Sequence, residues 1–145
     1  MRRDIITAAK RIKRKLRGNI SFEKAEQYIQ SKGYSVICCN DSTDEVKRFG
    51  LVETLQEHPA ITYQGDVYMI FINRHYTYER KLRLLLHEIA HIELGHFDNK
   101  ALSSEEKEQE ANSFVYELLD RKTPDYSKAV LVAMCILLLV WRFGT

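Results

Sequence analysis

Residues 82–96, LRLLLHEIAHIELGH, constrain this chain more than any other stretch, because two histidines stand four apart with a glutamate directly after the first. On an α-helix, positions four apart lie about 40° apart around the axis, so His87 and His91 stack on one face and their imidazoles can share one ion. Glu88 lies about 100° further round, too far to be a natural third ligand but well placed to hydrogen-bond a water on that ion. That geometry makes Glu88 the candidate general base. Zinc suits neutral imidazole nitrogen plus one carboxylate, and a catalytic zinc keeps a fourth position open for a water whose pKa falls to roughly 7. Such a site hydrolyses amides. The plainer reading of HExxH is a helix with polar residues on its solvated side. Against it, Leu82, Leu84, Leu85, Leu86, Ile89, Ala90, Ile92 and Leu94 predict a largely buried helix, and a buried His or Glu needs a partner.

With 145 residues, 45% of them hydrophobic, the chain suits one domain, 1–145, with a real core. Its basicity is local. The first eighteen residues hold eight Lys and Arg against Asp4, in a chain whose net charge is +2. Ile5, Ala9, Ile12 and Leu16 recur there at helical spacing, and Gly18 supplies a stop, predicting a basic amphipathic N-terminal helix over 1–18. The plain reading is a packed helix with a solvated outer face; contact with nucleic acid, an acidic partner or anionic lipid is the alternative. Cys38, Cys39 and Cys135 form no CxxC pair, which argues against a disulfide framework and a thiolate zinc site and fits a reducing cytoplasm. The basic N-terminus has no uninterrupted apolar stretch behind it, so it does not read as a secretory signal.

Further along, Ser21 can cap a helix through Phe22, Ala25 and Ile29 that ends at Gly33. A strand is predicted over 34–39, then a short helix opened by a Ser42/Glu45 capping box and running through Val46 and Phe49 toward Leu55. Residues 61–63 and 67–72 flank Gln64-Gly65-Asp66 as a β-hairpin. The second strand, VYMIFI, is apolar on both faces and should be central or covered. A strand just before the HExxH helix could hold an extended peptide by backbone pairing if one edge is open. Gly95 ends the HExxH helix. Ser103 and Glu106 form another capping box, opening a helix with Ala111, Phe114, Val115 and Leu118 on its apolar face. Residues 129–141, AVLVAMCILLLVW, predict an apolar C-terminal helix over 128–143. Thirteen residues span about 20 Å as a helix, short of the roughly 30 Å hydrocarbon core, so a buried or dimerisation helix is favoured over a membrane anchor.

The third ligand has to come from elsewhere. In HExxHxxGxxH the glycine and third histidine follow the second histidine by three and six residues, but here Gly95 and His96 follow His91 by four and five. On a continued helix His96 would point about 180° from His87, making it a poor ligand unless the chain turns sharply at Gly95. The carboxylates of the following segment are Asp98, Glu105, Glu106, Glu108 and Glu110. Glu106 is engaged by the capping box, and Glu105 lies in the first turn, where acids are favoured by the helix dipole alone. Glu110, beside Ala111 and Phe114 on the packed face, is best placed to look inward.

LLLHEIAHIELGH followed by EQEANSFVYELL resembles the ImmA/IrrE-type metallopeptidases, with their HExxH helix and later Glu-Ala-Asn helix; the lead-in VYMIFIN to ERKLRLLLHE is similar too. The resemblance covers roughly residues 33–119. It implies an α+β, zincin-like domain of the glutamate-ligand kind, with helices packed on a short, mostly antiparallel sheet and HExxH on a buried central helix. It further implies that His87, His91 and Glu110 bind Zn2+ and that Glu88 is the base. The expected activity is that of a zinc metallopeptidase acting on a regulatory protein, such as the helix-turn-helix repressor of a phage, prophage or mobile element. Two rival expectations stand beside it: a non-proteolytic, metal-stabilised regulator that binds a repressor or DNA, and a zinc peptidase tethered to a membrane through 129–141. The chain departs from the family where Leu-Leu-Asp-Arg replaces Leu-Leu-Met-Pro after the second motif helix.

Overall fold

The computed structural model describes residues 2–119, and the predicted apolar helix over 128–143 lies outside them. Among the described residues, six helices and three strands follow in the order α1 (Arg2–Lys15), α2 (Phe22–Gln30), β1 (Tyr34–Cys39), α3 (Asp44–Arg48), α4 (Val52–Glu57), β2 (Ala60–Gln64), β3 (Tyr68–Asn73), α5 (Tyr78–Glu93) and α6 (Ser104–Leu118). This is a small α+β domain. Among the described residues no helix is long and apolar enough to cross a membrane.

The VYMIFI run explains the layering. In a strand, successive side chains point to opposite faces, so Ile70 and Ile72 enter the larger core while Met69 and Phe71 enter a smaller one. Helices α1, α2, α5 and α6 supply the first core, and Val46 and Leu55 of α3 and α4 close the second. A strand buried on both sides belongs in the middle, and the sheet order is β1-β3-β2. β1 pairs with β3 in parallel and β2 pairs with β3 antiparallel, so the sheet is mixed rather than mostly antiparallel. The strand leading into the HExxH helix therefore has both edges occupied. Among the described residues, the unpaired edge on the HExxH side belongs to β2.

Two local expectations change. The helix predicted to run from Ser42 toward Leu55 is two helices, because Gly50 adopts a positive φ of 66° between them. The Ser42/Glu45 capping box does not form. Thr43 is the N-cap, and its hydroxyl is bonded to Asn40 instead. The other caps form as predicted: Ser21 accepts from the Lys24 N–H, and the Ser103/Glu106 box closes in both directions. That box fixes where α6 starts and hence which of its faces meets α5. Replacing Ser103 with Ala is expected to cost about 1 kcal/mol, read as a small drop in the midpoint of chemical unfolding.

The N-terminal helix is a packed one. Ile5, Ala9, Ile12 and Leu16 are buried, whereas Lys10, Arg11, Arg14 and Lys15 are exposed. Helix α5 is held at both ends. Tyr78, at its start, accepts a hydrogen bond from the Phe22 N–H and donates to Glu23. Glu93, at its end, accepts from Tyr28 and pairs with Arg11 at 3.2 Å and Lys32 at 2.8 Å. Between those clamps Leu85, Leu86, Ile89 and Ala90 are fully buried. Each large apolar side chain contributes about 1.5–3 kcal/mol by burial, so the face carrying the two histidines is fixed against the rest of the domain.

Candidate metal centre

The other face of α5 looks onto α6. The Nε2 atoms of His87 and His91 lie 3.0 Å apart. A carboxylate oxygen of Glu108 is 3.0 Å from His87 Nε2, and the other is 3.2 Å from His91 Nε2. One ligand atom from each of these three residues lies within 4.8 Å of the other two.

Glu110 is not in this group. Its carboxylate accepts a hydrogen bond from His96 Nε2 at 3.1 Å. The reason is helical geometry, since residues two apart diverge by about 200° around the axis. Glu110 shares the buried face with Ala111, Phe114 and Leu118. Glu108 shares a stripe, at four-residue spacing, with Ser104, Asn112 and Tyr116, all of which line an open cleft. The structure thus brings His87 and His91 together with Glu108, and places Glu110 one layer behind them. His96 is not at the ligand cluster either. The chain does turn sharply at Gly95, φ 68°, and the turn brings His96 Nδ1 to 2.8 Å from His91 Nδ1, on the far side of the ring from Nε2.

The donor set fits a metal ion. Two imidazole nitrogens and one carboxylate oxygen are a ligand combination that zinc takes in catalytic sites. Burial, reinforced by the neighbouring His87, lowers the His91 pKa to about 4, so this ring is neutral at pH 7 with a lone pair to offer. Burial likewise raises the Glu88 carboxyl above its usual range, against the opposing hydrogen bond from Thr62 and the charge of His87. Thr62, on β2, donates that hydrogen bond to Glu88 Oε2. Sheet and helix together hold the carboxylate beside the histidines.

The cleft has a volume of about 1020 Å³ and runs from His58, Pro59 and Ala60 across Arg80, Arg83, His87 and Glu88 to Glu108, Asn112 and Tyr116. Glu79 and Arg83 stand at the i,i+4 spacing of a helix-surface ion pair. Among the described residues that pair is not formed, and the Arg83 guanidinium instead lies 5.9 Å over the Tyr116 ring. Of the tyrosines on or just before the two motif helices, Tyr116 lines the cleft. Tyr78 is engaged by α2, and Tyr76 sits under Arg80 with 4.0 Å to the ring centroid. His58 carries no spacing signal in the sequence. It is the C-cap of α4 just before Pro59, and only the fold carries it to the cleft and within electrostatic range of Glu88.

A HExxH helix facing a carboxylate-bearing helix across a cleft, beside a small sheet, defines a metallopeptidase-type domain. Residues 32–138 match the Peptidase_M78 family, described as the IrrE N-terminal-like domain. The chain belongs to that family. Comparison with curated proteins and with solved structures yields no significant match.

Proposed function

We propose that the protein is a zinc-dependent peptidase in which His87, His91 and Glu108 hold the ion and Glu88 is the general base. The observation that carries this reading is the convergence of two imidazole Nε2 atoms and one carboxylate beside a cleft lined by His87, Glu108 and a second, buried carboxylate, Glu88. Bound zinc supplies Lewis-acid polarisation and a water acidified to a pKa of roughly 7. Glu88 accepts the proton of the attacking water and delivers it to the departing amine. A carboxyl whose pKa burial raises above the ordinary range is a better proton acceptor for that transfer. Thr62 keeps Glu88 pointed at the site.

The substrate binds as an extended segment. Among the described residues β2 has a strand partner on one side only, and Ala60 at its start lines the cleft, so backbone pairing along this edge would lead a peptide past Glu88. Asn112 and Tyr116 stand on the same stripe as Glu108, opposite that edge. Tyr116 is assigned as the donor to the oxyanion. Tyr116→Phe is expected to lower kcat about 100-fold with little change in KM, measured on any peptide the enzyme cleaves. A raised KM with kcat unchanged would assign it to substrate binding instead.

Family membership and the extended binding mode support a protein substrate, with a DNA-binding repressor of the helix-turn-helix kind as the leading class. Free Cys38 and Cys39 fit a reducing cytoplasm. A purely binding regulator has no use for a buried carboxylate aimed into a cleft. The test is incubation of zinc-loaded protein with the transcriptional regulator encoded beside it, with Glu88→Gln as control. Cleavage by the wild type alone supports the reading; equal cleavage by both proteins, or full cellular function of Glu88→Gln, rejects it.

A further inference from the structure

We infer that His96 and Glu110 are positioning residues for His91, forming a buried hydrogen-bonded relay that fixes which ring nitrogen of His91 is presented to the metal. The inference rests on the reading of His91 as a ligand. Its geometry is independent of the cleft.

The relay runs from Glu110 to His96 Nε2 at 3.1 Å and from His96 Nδ1 to His91 Nδ1 at 2.8 Å. His91 Nε2 then faces His87 and Glu108. Only one arrangement of protons lets a carboxylate accept at one end while leaving a lone pair at the other. His96 carries its proton on Nε2 and donates it to Glu110; its bare Nδ1 accepts from the Nδ1–H of His91. Nε2 of His91 is then free of a proton and available to an ion. Each link fixes the tautomer of the next, which is the role a carboxylate has behind a metal-binding histidine, here extended by one ring.

The burial supports this role over simple packing. His96 is 2% and Glu110 9% exposed. A polar pair so deeply placed is costly unless every group is hydrogen-bonded, and an apolar pair would fill the same space without that requirement. The backbone is also committed to the arrangement. Gly95 takes a positive φ, and the His96 N–H closes back on the His91 carbonyl at 3.0 Å, so the turn that ends α5 returns the imidazole to the ring five residues earlier.

The test uses the full chain as wild type, Glu110→Gln and His96→Phe, plus the double variant. Zinc affinity is measured by competition with a chelator, and the histidine ring nitrogens are recorded by 1H–15N correlation spectra of the zinc-loaded protein. The expected spectrum places the proton of His91 on Nδ1 and that of His96 on Nε2. Each substitution is expected to weaken zinc binding about 10- to 100-fold. The double variant should bind no more weakly than His96→Phe, because Glu110 acts only through His96. Glu110→Gln is nearly isosteric, so it keeps the test valid if His96→Phe does not fold. Wild-type affinity in both single variants, or a His96 proton on Nδ1, overturns the relay while leaving the metal site standing. Failure of the wild type to bind zinc at all overturns the metal reading together with the relay.

Discussion

Glu88→Gln is expected to keep the full zinc content of the wild type and to lose peptide hydrolysis by about 10³-fold or more, the range that a positioned general base supplies. The two parts of that result have separate causes. Glu88 lies about 100° around α5 from His87 and is absent from the His87, His91 and Glu108 cluster, so its replacement leaves the ligands in place. Glutamine keeps the volume of the side chain and can still accept from the Thr62 hydroxyl, so folding should be unchanged. The amide cannot take a proton from water. A 10³-fold loss corresponds to about 4 kcal/mol of transition-state stabilisation, and it should fall on kcat. Parallel metal analysis and steady-state kinetics on the same preparation check both halves.

The second large effect concerns the third ligand. Glu108→Ala is expected to abolish stoichiometric zinc binding and all activity with it, whereas Glu110→Gln only weakens binding. Glu108 is an exposed residue, so its loss should change the stability of the metal-free protein by no more than about 0.5 kcal/mol. Removing the carboxylate in contact with both Nε2 atoms leaves two imidazole nitrogens to hold a divalent ion. A titration of each variant with zinc, paired with a thermal melt in chelator, separates loss of the ligand from loss of the fold. The opposite ranking, with Glu110→Gln devoid of zinc and Glu108→Ala binding normally, would return the ligand role to Glu110.

The contrast between those two glutamates also marks how far residues alone lead. The HExxH helix, its burial, the central place of VYMIFI and the capping box at Ser103 are all set by short-range patterns, and each is present in the fold. The adjacency of Glu110 to Ala111 and Phe114 predicts an inward-facing carboxylate. Inward is a direction shared by the whole core. Glu110 meets His96 there, while the cleft lies on the other side of α6. The signal that does mark Glu108 is its four-residue spacing from Asn112 and Tyr116, a polar stripe whose meaning depends on what lies opposite. His96 turned on a single φ angle at Gly95, which decides whether the ring leaves the site or doubles back on His91. His58 had no local signature at all. The break at Gly50 and the parallel pairing of β1 with β3 likewise depend on contacts between distant segments.

The most direct test of the account is the position of the ion itself. A crystal of the wild-type protein grown with zinc, with diffraction collected on both sides of the zinc absorption edge, is expected to show one anomalous peak roughly 2 Å from Nε2 of His87, Nε2 of His91 and a carboxylate oxygen of Glu108, on the cleft side and within reach of Glu88. A peak coordinated by Glu110 or His96, or the absence of any peak between the two histidines, would contradict it.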